Sequence, residues 1–90
     1  MYKLAYTKEA KSQIDKLNGA VRIQIKEAIE KVADDPSIGK RLTHELSDFM
    51  SYRSGDYRII YQIHNQEIVV LIVSIGHRKN VYEKLSRKLR

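Results

Sequence analysis

The chain opens on an alternation, Tyr2-Lys3-Leu4-Ala5-Tyr6, which predicts a first strand ending at Thr7. Thr7 is placed to cap a helix whose apolar positions Ala10, Ile14 and Leu17 share one face. Asn18-Gly19 breaks that helix, and a second runs from about Ala20 to Ala33. Val21, Ile25, Ala28, Ile29 and Val32 form its apolar stripe, and Asp34-Asp35-Pro36 closes it. Two amphipathic helices joined by a short turn make an antiparallel hairpin that needs a sheet to cover.

The stretch Ser37–Ser47 is polar and irregular, with Leu42 and Leu46 as anchors. Strands follow. Phe49–Arg53 and Tyr57–His64 flank Ser54-Gly55-Asp56, which reads as a hairpin turn. Asn65-Gln66 turns the chain into Ile68–Ile75, an unbroken apolar run that suits a central strand buried on both faces. Val81, Leu85 and Leu89 then recur every four residues and predict a short basic helix. The order is β-α-α-β-β-β plus that helix, an α+β architecture with an antiparallel-rich sheet.

Length and composition narrow the class. Ninety residues with 42% hydrophobic side chains suit one globular domain over 1–90. The absence of cysteine excludes disulfides and thiolate metal sites, and three scattered histidines make a poor metal site. No apolar run reaches the ~18 residues of a membrane span, so a cytoplasmic protein without a membrane partner is expected. The net charge of +6 is uneven: residues 77–90 carry six Lys/Arg against one acidic residue. Such a patch favours a polyanion or an acidic partner, and a solvated tail is the plain alternative.

Two segments hold the candidate chemistry. Tyr52-Arg53-Ser54-Gly55-Asp56-Tyr57-Arg58-Ile59-Ile60-Tyr61 and Ile75-Gly76-His77-Arg78-Lys79-Asn80-Val81-Tyr82 both place arginines and tyrosines at the ends of strands. Arginine offers a planar fork to phosphate, and tyrosine offers a face to a base. Strand alternation puts Tyr57, Ile59, Tyr61 and Ile63 on the helix side, and Arg58, Ile60, Gln62 and His64 on the open side. Arg58 and Arg78 could therefore converge on a phosphodiester. The plain alternatives are a salt bridge to Asp56 or Glu83 for either arginine, and simple packing of the last helix for Tyr82. His77 could exchange protons near neutral pH, or serve only as a surface or capping residue.

The helix hairpin followed by these two motifs resembles the RelE/ParE toxin superfamily over essentially the whole chain. The Gly-His-Arg-x-x-Val-Tyr form of the second motif is closer to the RelE side. What the resemblance implies is a RelE-like fold and a toxin of a type II toxin–antitoxin system. Such a toxin is a ribosome-dependent endoribonuclease that cuts mRNA and is silenced by a cognate antitoxin in a hetero-oligomer. No metal or other cofactor is implied. The ribose 2′-hydroxyl would attack the adjacent phosphate, leaving a 2′,3′-cyclic phosphate and a 5′-hydroxyl.

Carried onto this sequence, Arg58 would stabilise the transition state and Arg78 would stabilise charge or help protonate the leaving oxygen. Tyr82 would stack on the mRNA base. Lys40, Arg41, Arg53 and Lys79 are the candidate RNA contacts. One departure stands out: two strand positions that hold lysines in well-studied RelE-type toxins are Phe49 and Ser51 here, and neither takes a proton. A general base would then come from His77, from Lys40 or Arg41, or from the ribosome, with His77 the simplest choice. The departure leaves open a ParE-like inhibitor of DNA gyrase without its own catalysis, and a non-toxic antitoxin-binding module. The antitoxin would lay an amphipathic segment on the central apolar run and the Val81/Leu85/Leu89 helix.

Overall fold

The computed structural model describes residues 1–89, with Arg78 and Lys79 described by backbone alone. Alternation at the start of the chain gives β1 (Lys3–Tyr6), and α1 (Lys8–Asp15) follows at once. Thr7 Oγ1 accepts from the Ala10 N–H at 3.0 Å, which satisfies one of the open donors of the first turn. Asn18-Gly19 is more than a breaker. Asn18 caps α2 (Gly19–Asp34), its side-chain oxygen accepting from the Val21 N–H at 3.1 Å, so the second helix starts at the glycine itself. Three longer strands follow, β3 (Met50–Ser54), β4 (Tyr57–His64) and β5 (Val69–His77), and α3 (Arg78–Lys88) leaves directly from the last.

A two-residue strand, β2 (Lys40–Arg41), was not visible in the sequence, where the segment read as irregular. The sheet order is β1-β5-β4-β3-β2, with β1 and β5 parallel and the other pairs antiparallel. The α+β expectation and its antiparallel-rich sheet therefore hold. The expected central strand is interior, paired on both sides, but it begins one residue later than the apolar run suggested. Ile68 is 55% exposed and sits at φ 56°, closing the turn after β4 instead of entering the ladder.

Helices cover both faces of the sheet unequally. On one face Ala10, Ile14, Ile25, Ala28, Ile29 and Val32 of the hairpin pack on Met50, Ile59, Tyr61, Val70, Ile72 and Ile75. Ile72 and Ile75 are three apart yet serve the same core. A bulge allows this: Ile60 pairs with Ser74 while Tyr61 pairs with Ile72, so Val73 is the unmatched residue and the alternation of β5 shifts. On the other face a smaller cluster joins Phe49 and Ile60 to Val81 and Leu85 of α3. Gly76 makes that return possible, since a Cβ there would lie 3.0 Å from the Val81 Cβ.

Tyr61 is fully buried at the seam between the main core and the loop before β2. Its hydroxyl donates to the Pro36 carbonyl at 2.6 Å and accepts from the Gly39 N–H at 3.1 Å. Burial pushes this phenol from the ordinary 10.0 up to about 12; the Gly39 N–H pulls the other way and Asp35 adds to the rise. The folded chain therefore keeps a proton that the unfolded chain has lost between about 10 and 12. Stability from this group is complete below that window and falls as pH climbs through it. Urea midpoints measured across the alkaline range should decline there, and Tyr61→Phe should make the decline shallower. Tyr6, raised by burial and then by Glu30, keeps some slope of the same sign in that variant.

Candidate nucleic-acid interface

Four of the residues marked in the sequence meet in one place. Lys40, Arg53, Arg58 and Tyr82 line an open groove of about 370 Å³, together with Leu42 and Ser51. The register explains why. Lys40 lies beside Ser51, and Arg53 lies directly opposite Arg58, so alternate residues of β2, β3 and β4 rise from the same face. Tyr82 arrives from above on α3, and its hydroxyl shares a 2.9 Å hydrogen bond with Ser51 Oγ. Phe49 lies just before β3, and it is buried under α3 with Ile60. One lysine position of the resembled family is thus filled by core, and the other by the hydroxyl that holds Tyr82.

Among the described residues no carboxylate lines this groove, which holds three cationic side chains. Arg53 Nε donates to the Gly55 carbonyl and Arg58 Nη1 to the Tyr57 carbonyl, both at 3.3 Å. Like charges directly opposite on neighbouring strands repel. An anion seated between Arg53 and Arg58 relieves that repulsion, and the planar guanidinium forks are suited to phosphate oxygens. Tyr82 is half-buried: it packs α3 onto the sheet and shows part of itself to the groove.

Other expected members lie elsewhere. His77 pairs with Tyr57, and the two rings meet edge to face with centroids 5.3 Å apart and planes at 81°. Tyr57 packs toward the hairpin core, so His77 stands on the face away from Arg58. It lines a separate small cavity with Gln13, Ser74, Asn80 and Lys84. Arg41 pairs with Met50 on the hairpin side and donates to the Ser47 carbonyl at 3.0 Å, outside the groove. Arg78 and Lys79 begin α3, but their side chains lie outside the described residues. Ser51 and Leu42 are groove residues that the sequence did not single out for this role. Among the described residues no three His, Asp or Glu come together as metal ligands.

The strand end that carries the second motif is fixed by α1. Beyond the last β1–β5 pair, Thr7 Oγ1 donates to the Val73 carbonyl at 2.6 Å, and Gln13 Oε1 accepts from the Ile75 N–H at 2.6 Å. These side chains stand in for a missing strand and hold β5 straight up to Gly76.

A family model described as the ParE toxin of the type II toxin–antitoxin system, parDE, matches residues 4–82. The chain is 28% identical over 92 residues to the mRNA interferase toxin RelE of Escherichia coli (strain K12), covering 98% of this chain and 97% of that protein. It is 29% identical over 85 residues to toxin RelG of Mycobacterium tuberculosis, covering 92% and 98%. Among solved structures, the toxin–antitoxin complex RelBE2 from M. tuberculosis aligns with a TM-score of 0.78 at 30% identity, covering 86% of this chain and 98% of that one. The isolated E. coli RelE toxin aligns with a TM-score of 0.75 at 26% identity, covering 100% of each.

Proposed function

The chain belongs to the ParE toxin family of type II toxin–antitoxin systems, on its RelE-like side, and we propose that it is one toxin domain, residues 1–90, that cuts mRNA on the ribosome. The observation that carries this reading is the groove in which Lys40, Arg53 and Arg58 face Tyr82. The cations seat the phosphodiester, and the tyrosine ring stacks on a neighbouring base. The 2′-oxygen then bonds to phosphorus as the bond to the 5′-oxygen breaks. One proton leaves the first oxygen and one arrives on the second. Negative charge grows on the phosphate oxygens between Arg53 and Arg58, where preorganised guanidiniums stabilise it most. The ribosome supplies attack geometry by holding the RNA. Arg78 joins them by resemblance to the family motif.

The partner that silences the toxin is a cognate antitoxin, as in the RelBE complexes that this chain resembles. Its segment would cover α3 and so the Tyr82 side of the groove. A cytoplasmic site of action follows from an mRNA substrate, and among the described residues no helix is long and apolar enough to cross a membrane. The test is primer-extension mapping of mRNA on programmed ribosomes with the purified toxin. A cut inside the codon in the decoding site is the expected result. Intact mRNA under conditions where the protein still arrests growth and breaks DNA would replace this reading with the ParE-like one, a gyrase inhibitor.

A further inference from the structure

With Phe49 and Ser51 where the resembled family has lysines, Arg53 is the cation that β3 gives the groove, and the edge strand adds Lys40. Lys40 is carried there by β2, which is only two residues long, pairs with β3 at Ser51 and Met50, and is continued by one bond from the Leu42 N–H to the Phe49 carbonyl at 3.0 Å. So short an edge strand fixes a long side chain poorly. A second restraint acts one residue upstream. Tyr61 Oη bridges the Pro36 carbonyl and the Gly39 N–H, across the turn from which β2 emerges. Gly39 has an ordinary φ of −80°, so its backbone does not require glycine. The space does: a Cβ at residue 39 would lie 2.2 Å from Tyr61 Oη and 3.0 Å from the Ser51 carbonyl oxygen. Glycine lets the hydroxyl close over the chain next to Lys40.

We propose that Tyr61, from the opposite face of the sheet, is the positioning residue that sets where Lys40 stands in the groove, and that Lys40 takes the electrostatic place of the lysines missing at Phe49 and Ser51. The inference rests on the mRNA-cleaving reading of the groove. Lys40 acts as a fixed positive charge beside the phosphate. It needs no proton transfer, and it adds to the charge supplied by Arg53 and Arg58. Tyr61 touches no substrate and works only through the backbone of Gly39.

A double-mutant cycle on ribosome-programmed cleavage separates this from a general loss of fold. Lys40→Ala should slow cleavage, with Lys40→Arg restoring most of the rate. Tyr61→Phe, which removes one oxygen and keeps the ring in the core, should slow cleavage roughly tenfold to a hundredfold, the effect of a displaced group. In the Lys40→Ala background the same change should cost nothing further. A merely structural hydroxyl would lower the rate equally in both backgrounds, and that additive result overturns the inference. So does a Lys40→Ala protein that cuts at the wild-type rate. Wild-type protein that leaves mRNA whole overturns the nuclease reading itself, and the inference falls with it. Gly39→Ala supplies the matching displacement from the other partner and should be equally silent without Lys40.

Discussion

Arg58→Ala should slow mRNA cleavage by roughly a hundredfold to a thousandfold, the usual cost of removing one preorganised donor from a developing oxyanion. The side chain stands on the groove face of β4, opposite Arg53, and forms no part of either apolar core. Its removal opens no cavity in either core. It also ends a like-charge pairing across the strands, so stability should hold or rise by a few tenths of a kcal/mol, roughly the scale of one cross-strand pair. Loss of rate with an unchanged or higher melting temperature is therefore the signature. Arg58→Lys keeps the charge but loses the fork, and it should recover only part of the rate. A variant that unfolds, or one that still cuts at full speed, would remove Arg58 from the chemistry. Binding to programmed ribosomes should weaken less than cleavage does, because the rest of the basic surface remains.

How far the sequence foretold this site depended on where strand alternation survives. On β4 it survives where it matters: Tyr57, Ile59, Tyr61 and Ile63 pack toward the hairpin, so counting by twos placed Arg58 correctly on the other face. On β5 it does not. Counted from Ile72 without interruption, residue 77 would fall on the groove side. The bulge at Val73 shifts the count by one and turns His77 toward the hairpin. A bulge is set by how two strands settle against a core, and a single chain of residues carries no mark of it. Lys40 was noticed for its charge within an irregular stretch; two residues are too few to show a period, so β2 was illegible. Ile68 was misread for the opposite reason. It is apolar and adjoins an apolar strand, while its backbone serves the turn.

The separation of the two cores makes the second large effect specific. Val81→Asp should release α3 and abolish cleavage while the sheet and hairpin stay folded. The helix is held chiefly by Val81 and Leu85, which are 2% and 5% exposed against Phe49 and Ile60. Each such side chain contributes about 1.5–3 kcal/mol by burial. The hydrogen bond between the Tyr82 and Ser51 hydroxyls adds only about 1 kcal/mol. The bond between Ser86 and Glu45 and the pair formed by Lys88 and Glu9 are exposed and add little. A lone carboxylate at position 81 forfeits the valine's share and adds an uncompensated charge costing roughly 3–5 kcal/mol. The docking energy cannot absorb both. Once loose, an 11-residue helix is too short to persist in water, so Tyr82 leaves the groove. None of these residues belongs to the larger core on the hairpin face. Hydrogen exchange should show amides 81–88 losing protection while those of β4 and β5 facing the hairpin core keep theirs. Uniform loss of protection would mean that the two cores fold as one unit, and that the site cannot be dismantled without the fold.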